Sequence, residues 1–194
     1  MARTKRSTTP VVYQIKVTLK GSKPPIWRRI QVTSATTLAQ LHRMLQRVMR
    51  WEGYHLYHFV VHGMEYGDPS MLEEMEGEDA RRVTLAALVS GAKDKFLYEY
   101  DFGDSWDHEL LIEKVLPYEA EKRYPVCLTV KRACPSEDVV ASEVMRAFWT
   151  LSKIRNTPSM RRWWHGSMAS LIQRPLIWTR SIGRSDASNN WRWE

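Results

Sequence analysis

The sequence predicts an α+β fold of the β-grasp kind, with a mixed sheet, one main helix packed across it and a long β-hairpin. Three patterns carry this prediction. Apolar residues alternate with polar ones over 11–19 and again over 26–32, as in half-buried strands. Leu38, Leu41, Leu45 and Val48 recur at helical spacing. Phe96, Tyr98 and Tyr100 alternate into a turn-rich string that precedes a second long alternating run.

The first strand places Val11, Tyr13, Ile15, Val17 and Leu19 on one side. The turn Gly21-Ser22-Lys23-Pro24-Pro25 leads into a second strand, where Ile26, Arg28, Ile30 and Val32 alternate with Trp27, Arg29 and Gln31. Thr37 followed three residues later by Gln40 matches a capping box, and the helix spans residues 37–50 before Gly53. Aromatic and β-branched residues over 55–66 predict a third strand, closed by Gly67-Asp68-Pro69. Residues 70–80 are acidic and read as a solvated loop. A short helix over 84–89 precedes a hairpin, whose second arm runs over 107–116. In the turn, Asp101 and Asp104 are suited to accept backbone amides while Gly103 takes a positive φ. Asp101-Phe102-Gly103 also matches the metal-binding tripeptide of protein kinases, but no phosphate loop or catalytic loop accompanies it, so turn chemistry is the reading adopted. The order of elements suggests the mixed sheet.

At 194 residues the chain has room for one domain with appendages. Two cysteines, Cys127 and Cys134, are too few for a disulfide framework, and the start MARTKRSTTP lacks an apolar signal core. No apolar run approaches membrane-spanning length. These observations predict a cytoplasmic protein.

The net charge of +7 is unevenly placed: residues 1–138 hold 20 Lys and Arg against 19 Asp and Glu, whereas residues 139–194 hold 9 against 3. The second segment also carries six of the nine tryptophans and none of the eight tyrosines. The predicted organisation is therefore a disordered basic N-terminus over 1–10, the α+β domain over 11–138, and an atypical tail over 139–194.

Several strings resemble the plasmid pRiA4b ORF-3-like family when taken together in order. They are Tyr13-Gln14-Ile15-Lys16-Val17, Lys23-Pro24-Pro25-Ile26-Trp27-Arg28-Arg29, Trp51-Glu52-Gly53-Tyr54-His55-Leu56, Glu65-Tyr66-Gly67-Asp68-Pro69, Tyr98 to His108, and Arg132-Ala133-Cys134-Pro135-Ser136-Glu137-Asp138. The resemblance covers residues 11–138. It implies an association with plasmids and with insertion elements, where such proteins travel as passengers and sometimes carry a resolvase-type name, but it implies no defined activity. Ser7, Ser22 and Ser34 are scattered without the arginine cluster that a recombinase serine requires for activation. The resemblance also places a cysteine and two glycines after the Glu-Asp pair, where this chain has Val139 and Val140.

Two functional readings of different class follow. The first is a noncatalytic binding module that contacts nucleic acid or a protein partner. Arg43, Arg47 and Arg50 share the helix face opposite Leu41, Leu45 and Val48, and with Arg28 and Arg29 form a candidate phosphate-contacting stripe. The second is a small metal-assisted hydrolase. His55, His58, His62, Asp104, Trp106 and His108 form the candidate functional cluster, and His58, His62, Asp104 and His108 are its potential ligands for a divalent metal such as zinc. In an ideal strand His58 and His62 share a face while His55 takes the other. The plainer alternative is that these histidines pack among Trp51, Tyr54, Tyr57 and Trp106. Likewise Cys127 and Cys134 read as free thiols.

The tail is expected to be a frame-shifted product. If residues 138–141 are encoded GAT GTG GTG GCN, restoring one T after GAT yields Cys-Gly-Gly, and the same frame turns Ser170 to Ile177 into an acidic segment. Such a tail packs poorly because its apolar residues were not selected for burial. The competing account is a genuine basic, tryptophan-rich interaction tail.

Overall fold

The computed structural model describes residues 10–68, 70 and 77–137. The expectations for residues 1–9, for most of the acidic loop and for the tail lie outside them. The described elements are β1 (Val11–Leu19), β2 (Ile26–Thr33), α1 (Leu38–Met49), β3 (Tyr57–Val61), β4 (Met64–Gly67), β5 (Glu78–Asp79), α2 (Leu85–Leu88), β6 (Lys95–Tyr100), β7 (Trp106–Pro117) and β8 (Val126–Lys131). The strands form one open sheet in the order β5-β4-β3-β6-β7-β1-β2-β8. Every neighbouring pair is antiparallel except β4 and β5, which makes the sheet mixed. The fold is α+β, with an open mixed sheet and one main helix.

That helix is built as its sequence requires. Thr37 accepts the Gln40 amide and Gln40 returns a bond to the Thr37 amide, completing the capping box. Arg50 closes the other end in the left-handed region at φ 68°. Leu38, Leu41, Leu45 and Met49 are buried against the sheet, together with Ile15, Val17, Leu19, Ile30, Phe59 and Leu110. Burying each such side chain contributes roughly 1.5–3 kcal/mol, so this interface is the main source of order. Val48 is only partly buried.

Four expectations are corrected. The third strand, predicted over 55–66, is a hairpin of β3 and β4: His62 and Gly63 take φ of 50° and 82°, the two-residue connection in which both central residues have positive φ. In the β6–β7 turn, Asp101 and Ser105 take the positive φ, at 58° and 53°, rather than Gly103. The Asp101 side chain does accept the Gly103 and Asp104 amides, at 3.0 and 3.4 Å. The acidic stretch ends in a strand, since Glu78 and Asp79 form β5. Finally β8, absent from the sequence reading, pairs with β2 across a bulge.

Candidate functional site

Cross-strand partners in a sheet project to the same face. His108 pairs with Tyr98 and Tyr98 with Phe59, while Trp106 pairs with Tyr100 and Tyr100 with Tyr57. All of these lie on the face that α1 covers, and Trp106, Tyr98 and Tyr100 are fully buried. His58 pairs with Glu99, and Glu99 with Asp107, on the opposite face. There the His58 Nε2 lies 3.1 Å from Glu99, and its Nδ1 lies 3.9 Å from Glu65.

His62 leaves the strand altogether. It sits in the β3–β4 turn, at the opposite end of β3 from His55, and is 2.9 Å from Asp94. His55, in the loop before β3, is 3.6 Å from Asp101. Asp104 occupies the β6–β7 turn. The sheet therefore separates His58 from His108, and the hairpin turn removes His62 from both, so the four proposed metal ligands do not converge. Among the described residues no three His, Cys, Asp or Glu are placed to share a metal ion.

What the structure brings together beneath α1 is a polar aromatic centre. The Tyr98 hydroxyl accepts from Gln46 Nε2 at 2.7 Å and bonds His42 Nδ1 at 2.8 Å. The His42 ring stacks on Tyr57 with centroids 3.7 Å apart. Burial, with Arg43 adding to it, lowers the His42 pKa to about 4. Burial also lowers that of His108 to about 4, with the backbone of Trp106 and Tyr98 acting weakly in the other direction. Those backbone groups do not reach hydrogen-bond geometry: both His108 nitrogens, Trp106 Nε1 and Gln46 Oε1 have no hydrogen-bond partner among the described residues. Trp51 joins the group, with its ring 5.3 Å from Trp106 and 5.4 Å from His108.

Glu137 closes one side of this centre. Its carboxylate accepts the Tyr100 hydroxyl and the amides of Glu52 and Gly53, the latter at 2.6 and 3.3 Å. Burial pushes its pKa up, but these bonds outweigh burial and hold it below the ordinary value. Trp51 Nε1 donates to the Pro135 carbonyl at 3.0 Å. The segment after β8 is thereby tied to the loop after α1.

The five candidate arginines do not form one surface. Arg28 is buried, 2% exposed, and donates to the carbonyls of Val48, Trp27, Lys131 and Arg132. It serves the last turn of α1 and the end of β8, and is not free for phosphate. Arg29 lies on the face away from α1, where it binds Glu113 through two bonds of 2.6 and 2.7 Å. Arg43, Arg47 and Arg50 remain exposed on and beside α1. The serines are structural where described: Ser22 bridges Leu19 and Ile26, and Ser34 accepts the Val11 amide. Cys127 and Cys134 are free thiols, and burial raises the pKa of Cys134 to about 12.

His42 and Gln46 were not singled out from the sequence, although positions 38, 41, 42, 45, 46 and 49 form one helical stripe that marks both as inward. Glu137 lies in the motif string that ends at Asp138, but nothing local reveals what it binds. Its partners are 37 and 85 residues away along the chain.

A family model described as plasmid pRiA4b ORF-3-like protein matches residues 11–169, further than the motif-bearing segment that ends at residue 138. The chain is 40% identical over 133 residues to the uncharacterized protein y4hQ of Sinorhizobium fredii (strain NBRC 101917 / NGR234). That alignment covers 66% of each, so the chain spans just under two thirds of this relative's length. It is also similar to the crystal structure of MM3350, a protein of unknown function from Methanosarcina mazei Go1. The TM-score is 0.65 at 31% identity, covering 81% of this chain and 90% of that one.

Proposed function

The chain belongs to the plasmid pRiA4b ORF-3-like protein family, and from that premise we propose that it is a noncatalytic binding module of mobile elements that contacts nucleic acid through the outer face of α1. The observation that carries this reading is the contrast among its arginines. Arg28 and Arg29 are consumed by internal partners, whereas Arg43, Arg47 and Arg50 are exposed and form no salt bridge among the described residues. Guanidinium groups on one helix face suit the phosphate backbone, and such contacts are sequence-independent and salt-dependent. The plasmid designation of the family supports the mobile-element setting.

The test is fluorescence polarisation of the full-length protein with labelled duplex DNA and RNA across a range of salt. The paired variant Arg43→Ala/Arg47→Ala should weaken binding across unrelated sequences and reduce the slope of log affinity against log salt by about two. Unchanged affinity and slope in that variant would remove α1 as the contact, and a wild-type protein that binds neither nucleic acid would end the proposal.

A further inference from the structure

Both helices pack on one side of the sheet, leaving the other side uncovered among the described residues. The apolar and aromatic partners of α1 all project inward, and Arg28, Tyr98 and α1 meet on that inner face. Trp27 projects the other way, partly exposed, on β2 between β1 and β8.

The surroundings of Trp27 are basic. Lys16 Nζ and Arg29 Cζ lie 5.4 and 5.0 Å from the centre of its ring. Lys131 is its cross-strand partner on β8. Lys16 and Arg29 stand directly opposite one another across β1 and β2, a like-charge pair that a sheet ordinarily disfavours. Beside them, a shallow depression is lined by Arg29, Lys93 and Lys114, with Glu113 as its one carboxylate. Glu113 is already engaged by Arg29 and by Gln14 at 2.8 Å. Lys16, Lys93, Lys114 and Lys131 form no salt bridge among the described residues. Elsewhere on this face Asp107 pairs with Lys20 and Glu109 with Lys95, while Glu99 and Glu65 both lie beside His58. The excess positive charge is thus confined to the β7-β1-β2-β8 half of the face, around one tryptophan.

We infer that this half of the open sheet face binds single-stranded nucleic acid, with Trp27 as the stacking platform and Lys16, Lys114 and Lys131 on the phosphates. An aromatic ring set among cations on a flat surface suits unpaired bases, which offer a π-face, whereas paired bases are hidden inside the duplex. This surface lies on the other side of the sheet from α1, so it stands independently of the α1 contact proposed above.

The test compares a labelled single-stranded oligonucleotide, the corresponding duplex and heparin, all with the full-length protein. Trp27→Thr keeps a strand-compatible residue and should weaken single-strand binding about tenfold while leaving heparin affinity unchanged. Lys16→Ala/Lys114→Ala keeps the Trp27 ring while removing two cations, one of them the Lys16 ammonium beside that ring, and should reduce the single-strand salt slope by about one to two. Arg43→Ala/Arg47→Ala should change single-strand affinity less than about twofold while weakening the duplex. Equal loss of oligonucleotide and heparin binding in Trp27→Thr, at unchanged circular dichroism, would overturn the stacking role. Single-strand affinity that survives both sheet-face variants would overturn the inference, whatever the α1 variant does to the duplex. Should Trp27→Thr fail to fold, the lysine pair alone decides.

Discussion

His42 and His108 are both held neutral in the interior, and this has a defined consequence for stability. The folded-state pKa of each is about 4, below the ordinary value of 6.5, because burial disfavours the imidazolium. Between these values the unfolded chain binds more protons at these two groups than the folded one, so the histidine contribution to stability falls as pH drops from about 7 to about 4 and levels off below. Each histidine contributes of order 3 kcal/mol over that interval. Urea denaturation at a series of pH values should show this decline, and His108→Gln should remove about half of the slope. A pH-independent midpoint would contradict the buried neutral state. Arg28 gives a second prediction at this scale. Its four carbonyl acceptors include Val48 in α1 and Lys131 and Arg132 at the end of β8. Arg28→Met retains the apolar stem but leaves buried carbonyls without donors, which should cost about 2–4 kcal/mol by chemical denaturation. A loss below about 0.5 kcal/mol would show that these bonds do not hold the two elements together.

Among the elements, α1 and the β3–β4 hairpin make separate contributions. Leu41 is fully buried where α1 meets the sheet. Leu41→Asp would place a carboxylate there without a partner, and loss of a cooperative thermal transition is expected. A soluble, cooperatively melting Leu41→Asp protein would contradict the packing described. The hairpin turn is more tolerant. Gly63 has open space around the position of a Cβ but sits at φ +82°, so Gly63→Ala should cost about 1–2 kcal/mol from backbone strain alone. The helix and the long hairpin are readable from the chain because their apolar residues recur at 3.6- and 2-residue periods over many positions. The split of β3 from β4 is not, because His62-Gly63 lacks the Asn-Gly or Asp-Gly signature and the apolar character continues through it. β8 went unread although Val126, Leu128 and Val130 alternate with Cys127, Thr129 and Lys131, a run of only six residues whose three apolar members stay substantially exposed.

For the whole molecule, all described residues precede Asp138, where the composition changes. The proposed frame shift predicts that the gene carries, in the adjacent frame after the Asp138 codon, an open frame reading Cys-Gly-Gly and continuing into an acidic segment. Because the family match runs to residue 169, a native reading of part of this segment is the competing account. The nucleotide sequence decides between them: absence of that second open frame would end the proposal. The outcome also bears on charge. Residues 1–138 carry 20 basic against 19 acidic side chains, so nucleic-acid binding by the domain depends on where its cations lie and not on their total.

By itself the sequence determined the periodic elements, the capped helix, the inward Leu38, Leu41 and Leu45, and the family. Each of these depends on neighbours within one or two turns or strands, or on motifs that keep their order along the chain. Only the tertiary structure decided which surface each polar residue reaches. Strand register sends His108 inward and His58 outward. A tight turn takes His62 away from both, and the β2 face parity buries Arg28 while exposing Trp27 and Arg29 on the other side. These outcomes rest on pairings between segments tens of residues apart, in which a shift of one residue reverses every side chain, and local periodicity carries no record of that choice.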